Sequence, residues 1–130
     1  MTSLRFTVPK SLWMSANRQI ARPGHRQRII SDLHVLAALG ARQAGVRRLP
    51  EPCTIVWEIC YPKGTGPKAD PPNAYPTSKA LLDGLVNAGL LTDDNANVVV
   101  VQAFCRGPNT RRQGVHEVLL TATALEVEEP

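Results

Sequence analysis

Aromatic residues make up only 5% of this 130-residue chain, so base stacking is not expected to be its main way of holding a partner. Cysteines and histidines number three each. No C-x-x-C or H-x-x-x-H spacing occurs among them, which argues against a zinc site. Cys53, Cys60 and Cys105 fall in apolar segments and read as reduced, buried thiols. No apolar run approaches the roughly 20 residues that a membrane-crossing helix requires. The opening residues MTSLRFTVPK carry no apolar signal core, so a cytoplasmic protein without a membrane partner is expected. No internal repeat is visible.

What is present is ordinary in amount and unusual in placement. Hydrophobic content of 43% and charged content of 20% suit one folded domain spanning 1–130. Eleven prolines gather at segment borders and mark loops. The net charge is +4 and the isoelectric point is near 9.3, which makes an anionic partner plausible, nucleic acid first. Against that charge, four of the 11 acidic residues, Asp70, Asp83, Asp93 and Asp94, lie in KADPPNAYPTSKALLDGLVNAGLLTDD. Acids collected in a basic protein suggest a cation held against a polyanion.

Periodicity supplies the frame. LRFTVP alternates as a short strand, and the residues from Lys10 to Arg28 read as a long basic loop with Pro23-Gly24 as a turn. From about Arg26 to Ala44 the residues Ile29, Ile30, Leu33, Leu36, Ala37 and Leu39 recur at helical spacing before Gly45. CTIVWEICYP places Ile55, Trp57, Ile59 and Tyr61 on one face of a strand. A second helix is expected from about Thr77 to Ala88, burying Leu81, Leu82, Leu85 and Val86 and stopping at Gly89. NVVVVQAFC and GVHEVLLTATALEV read as two strands in a hairpin across the basic loop RGPNTRRQG. The sum is an α/β (α+β) domain with a mixed four-stranded sheet and two packed helices.

On that frame Lys79 opens the second helix, and Asp83 follows one turn later on the same face. Asp93 and Asp94 lie in the turn before the next strand, which can return them toward the Asp70 loop. Oxygen-only donors suit Mg2+, which takes one or two carboxylates together with phosphate oxygens. In phosphodiester hydrolysis such a metal activates water and neutralises the leaving oxygen. A lysine nearby adds positive charge where negative charge gathers. Lys63 and Lys68 are placed to hold the flanking backbone, as are Arg111 and Arg112 in the second basic loop. Plainer readings stand beside these. Asp70 before two prolines is a turn former, Lys79 and Asp83 make a surface ion pair, and TDDN is a polar turn.

In this same stretch the chain resembles the RusA-type Holliday junction resolvases of bacteria and their phages. The family pattern is a D-x-D-N loop, a lysine at a helix start, an aspartate one turn on, and a D-D pair before a strand. DPPN matches the loop through Asp70 and Asn73, and KALLDGLVNAGLLTDD matches the rest through Lys79, Asp83, Asp93 and Asp94. FTVPKSLWMSANRQ is similar to the opening strand and its S-x-N-R loop, and IVWEICYPKGTGPKAD to the strand that delivers the basic and acidic loops. Two departures stand out. Pro72 replaces the second acid of D-x-D-N, and three extra residues separate Asn73 from Lys79 in NAYPTSK, as in some phage members.

The resemblance implies a homodimer that binds branched DNA at four-way junctions and nicks two strands symmetrically. That activity would serve recombination, repair or phage DNA processing. It implies Mg2+, with Mn2+ as a substitute, held by Asp70 and Asp94, and Lys79 as their electrostatic partner. Asp83 is a further metal-ligand candidate, and Asp93 and Asn73 complete the catalytic group. Asn17 and Arg18 join Lys63, Lys68, Arg111 and Arg112 as DNA contacts. Two other readings remain open. One is a non-catalytic DNA-binding protein degenerate at Pro72, and the other is a domain whose basic surface serves a protein partner.

Overall fold

A computed structural model describes residues 1–18, Ile20 and 22–126. The elements follow the expected order: strand β1 (Thr2–Pro9), helix α1 (Pro23–Gln43), strand β2 (Cys53–Cys60), helix α2 (Tyr75–Asn87), then strands β3 (Val99–Arg106) and β4 (Val115–Ala124). Single-turn 3-10 helices occupy Lys10–Leu12 and Pro71–Ala74. The four strands form one mixed sheet with both helices on one face, so the predicted class is the observed one.

The sheet order is β1-β4-β2-β3. β4 runs antiparallel to both β1 and β2, whereas β3 runs parallel to β2. The expected β3–β4 hairpin is therefore incorrect. β4 alternates half-buried and buried residues along most of its length, which is what a central position on a half-covered sheet demands. VVVQAFCR buries only Val99 fully, so it occupies the edge. The parallel partner of β2 needs a crossover rather than a tight turn, and α2 provides it.

Registers line the core up in rows. Leu4, Leu120, Trp57 and Phe104 are successive partners across all four strands, followed by Phe6, Val118 and Ile59. Ile29, Leu33, Ala37 and Ala41 of α1 close over these rows, with Leu81, Leu82 and Leu85 of α2. Two glycines permit the close packing. A Cβ at Gly40 would lie 2.8 Å from the Phe6 ring, and one at Gly84 would lie 2.7 Å from the His34 Cα. Gly84 thus lets α2 rest on the α1 backbone.

Several local expectations shift. Pro23 is not part of a turn but opens α1, because a first-turn amide has no acceptor within the helix, so proline loses no hydrogen bond there and presets the helical φ. α2 likewise starts at Tyr75, ahead of Pro76 and two residues before the expected Thr77. Leu39 continues the apolar spacing of α1 but is 49% exposed, beyond the area the sheet covers. Val86 is only half-buried at the rim of α2. Cys53 and Cys60 are buried as expected, while Cys105 is exposed because the edge strand β3 leaves its face open.

Candidate active site

The C-terminal ends of β1, β2 and β3 and the start of β4 meet at one end of the sheet, since Pro9 pairs with Val115, Cys60 with Glu117, and Ile59 with Arg106. The loops that leave this end are tied together by hydrogen bonds. Lys63 N–H donates to the Arg112 carbonyl at 3.0 Å and Thr110 N–H to the Tyr61 carbonyl at 2.7 Å. Arg106 donates to the Gly66 carbonyl and to Asn109 Oδ1, each at 2.9 Å. Lys63, Lys68, Arg111 and Arg112 all stand exposed on this platform.

The loop after β1 joins the same end. Ala16 N–H donates to the Asn73 carbonyl at 2.9 Å, beside the exposed Asn17 and Arg18. Thr77, with no exposed surface, makes a two-way tie: its Oγ1 accepts from Met14 N–H at 2.8 Å and donates to the Met14 carbonyl at 2.7 Å. All six predicted DNA-contact residues therefore belong to loops at one end of the sheet.

The acids divide into two places. In the second turn of α2, Lys79 Nζ donates to Asp83 Oδ1 at 2.8 Å and also to Asp94 Oδ2. The i,i+4 spacing supplies the first bond. The second requires the loop into β3 to fold back along α2. Asp93 holds that loop in shape, its Oδ1 accepting from Asp94 N–H at 2.7 Å and its Oδ2 from Asn95 Nδ2 at 3.1 Å. Both Asp93 oxygens are thus engaged within the turn.

The electrostatics follow from this bridging lysine. Hydrogen bonding to Asp83, then to Asp94, raises the Lys79 pKa above its ordinary value. The Lys79 hydrogen bond holds the Asp94 carboxyl below its usual range, with burial opposing. Asp94 is the more sheltered of the two acids, its side chain 25% exposed against 39% for Asp83. A small cleft of about 160 Å³ lies against this face, lined by Arg26, Tyr75, Lys79 and Asp83 among others.

Asp70 sits apart, exposed, immediately before the 3-10 turn. Its carbonyl accepts from Asn73 N–H at 3.0 Å, so DPPN is a closed turn as well as a candidate ligand loop. Burial raises the Tyr61 phenol pKa; Arg106 opposes the shift and Asp70 adds to it. Among the described residues no three His, Cys, Asp or Glu side chains form a group able to hold a metal. The donor chemistry still suits Mg2+, which needs only one or two carboxylates when phosphate and water complete its shell.

Sequence reasoning did not single out Lys10, Arg106, Trp13 or His116, which also lie at this end. Trp13 and His116 stack with ring centroids 3.5 Å apart and planes within 5°. His116 meets Tyr61 edge-on at 5.4 Å, and the Arg106 guanidinium lies over Tyr61 at 5.2 Å. No local spacing announces this array. Only the position of Arg106 at the end of a strand gives a hint.

No family model matches the chain, and a search of curated proteins finds no match either. No helix among the described residues is long and apolar enough to cross a membrane.

Proposed function

We propose that this chain is a metal-dependent endodeoxyribonuclease that nicks four-way DNA junctions, the activity implied by its resemblance to the RusA-type resolvases. The observation that carries the reading is Lys79 bridging Asp83 and Asp94 in a helix that opens at the basic end of the sheet. A surface ion pair needs only two partners. Here a loop is folded back so that a second carboxylate reaches the same ammonium.

In this reading Asn17, Arg18, Lys63, Lys68, Arg111 and Arg112 hold the DNA backbone and set its position. Lys79 places positive charge beside the reacting phosphate, where charge builds in the transition state. Asp94 and Asp83, which meet at Lys79, are the pair that would hold Mg2+ or Mn2+, and Asp70 would have to join them from its own loop; the metal would supply a more acidic water and charge neutralisation. Asp93 positions Asp94 by closing its turn, and Asn73 fixes the loop after Asp70. Two opposed nicks require two active sites related by a twofold axis, which a homodimer supplies.

A second reading is favoured by a specific observation. Pro72 offers no carboxylate where the family pattern has its second acid, and no three-acid group forms among the described residues; in this reading the chain would bind junctions without cutting them. Incubation of the purified protein with a synthetic four-way junction and a titration of Mg2+ or Mn2+ separates the two, with linear duplex as control. Nicking of the junction that is lost in Asp94→Asn while binding persists supports the nuclease. Absence of nicking at every metal concentration, restored by Pro72→Asp, moves the assignment to the non-catalytic binder. Nicking of Asp94→Asn within a few-fold of wild type removes Asp94 from the site.

A further inference from the structure

We infer that the clefts around Trp13 form a nucleotide-binding site, with the base against Trp13 and the phosphate against Lys10 and Arg18. Two cavities share these three residues. The smaller, about 240 Å³, is also lined by Pro62 and His116. The larger, about 600 Å³, is also lined by Ile20 and Ile29. Since a water occupies about 30 Å³ of liquid, even the smaller has ample room for a planar base.

The walls specify the ligand. Neither Lys10 nor Arg18 is in a salt bridge among the described residues, and no carboxylate lines either cavity there. Both cations are exposed at the rim, so they are available to an anion. Ser11, Ser15 and His25 add polar groups to the lining, and Trp13, Ile20, Ile29 and Pro62 give the clefts an aromatic and apolar part, which a bare phosphate would not use. An anion with a flat aromatic portion uses both, and a nucleotide has that form.

Scarcity of aromatics in the whole chain does not prevent their concentration at one place. Trp13, His116 and Tyr61 are in ring contact, with Arg106 over Tyr61, so the Trp13 ring is held in place by the stacked His116 ring. Burial lowers the His116 pKa to about 4, and its ring is neutral at pH 7. The buried His116 Nδ1 has no hydrogen-bond partner among the described residues, a condition that is unfavourable unless something bonds to it.

The site goes beyond the nuclease reading and does not require cleavage. The nucleotide can belong to an unpaired position of a DNA strand or be free in solution. The chemistry is the same.

Tryptophan emission tests it directly. Trp57 is fully buried with its indole bonded to Gln102 at 2.8 Å, so a ligand-dependent change reports Trp13. The full chain is titrated with thymidine 5′-monophosphate, a short oligothymidylate and inorganic phosphate. Expected is saturable quenching by the nucleotide and the oligomer, at concentrations about tenfold below any response to phosphate. The double variant Lys10→Ala/Arg18→Ala, altered only at exposed positions, should weaken the response about tenfold or more. Tighter binding of the oligomer assigns the site to a DNA strand, and tighter binding of the monophosphate assigns it to a free nucleotide. Asp94→Asn should bind as wild type does, which keeps this test apart from the nuclease assignment. The inference is overturned by lack of saturable quenching, by phosphate acting as well as the nucleotide, or by unchanged binding in the double variant.

Discussion

Gly84→Ala tests the contact that places α2 on α1. The added methyl would lie 2.7 Å from His34 Cα and 3.0 Å from both Ala37 Cβ and the His34 carbonyl oxygen, where ordinary contact begins near 3.4 Å. Two of these three atoms are main chain, so no side chain can simply swing aside. The helices must part by about 0.7 Å, which loosens the buried Leu33, Ala37, Leu81 and Leu85. Overpacking costs about 1–3 kcal/mol, and with main-chain atoms on the far side of the contact the upper part of that range, about 2–3 kcal/mol, applies. Alanine returns about 1 kcal/mol through its better helix propensity. The net expectation is a loss of about 1–2 kcal/mol, or roughly 3–10 °C in melting temperature for a chain of this length. Gly24→Ala is the control, because a Cβ there meets nothing within 4 Å, and it should be neutral or stabilising by up to about 1 kcal/mol. Thermal unfolding followed by circular dichroism reads both. Melting of Gly84→Ala at or above wild type would refute the close approach of the helices.

Three further outcomes are expected. Lys79→Ala should slow single-turnover junction nicking on the order of a hundredfold, as removal of one preorganised donor does; a change in melting temperature alone would reduce the cluster to an ion-pair network. If Arg18, Lys63, Lys68 and one or two of Arg111 and Arg112 contact phosphates in each subunit of a dimer, log affinity against log salt should have a slope of roughly −7 to −9, and a slope near zero would favour a protein partner. Folded His116, lowered to about 4 by burial, stays neutral while the unfolded chain takes up its proton. Its contribution to stability is therefore complete above about pH 6.5 and is lost as pH falls toward 4. Urea titrations should show that acid limb in wild type and a shallower one in His116→Gln; superimposable limbs would refute the assignment.

The parts legible in the sequence were those fixed by local spacing. Ile55, Trp57 and Ile59 alternate because one sheet face is covered, and Lys79 and Asp83 meet because four residues make about one helical turn. β3 is legible as a strand but not in its place, since a run of valines announces extended chain without saying which neighbour it pairs with. Pro23 and Pro76 look like breaks in a string of letters, yet each sits comfortably in the first turn of a helix. At the candidate site, the return of Asp94 to Lys79 depends on how the loop after α2 folds back, which is a tertiary matter. The meeting of Trp13 with His116 joins residues far apart in the chain, and only the register of β1 with β4 brings them together.

The two-way bond between Thr77 and the Met14 backbone has a mechanical consequence. It makes the segment bearing Asn17 and Arg18 and the helix bearing Lys79 into one lever. If a strand binds as proposed, a load on the arginine would be passed through Thr77 toward the helix. Valine at this position would keep the bulk but leave the Met14 amide and carbonyl unpaired in a buried place. Grip and chemistry would then answer to different parts, and a partner could be held firmly without the lysine being carried along.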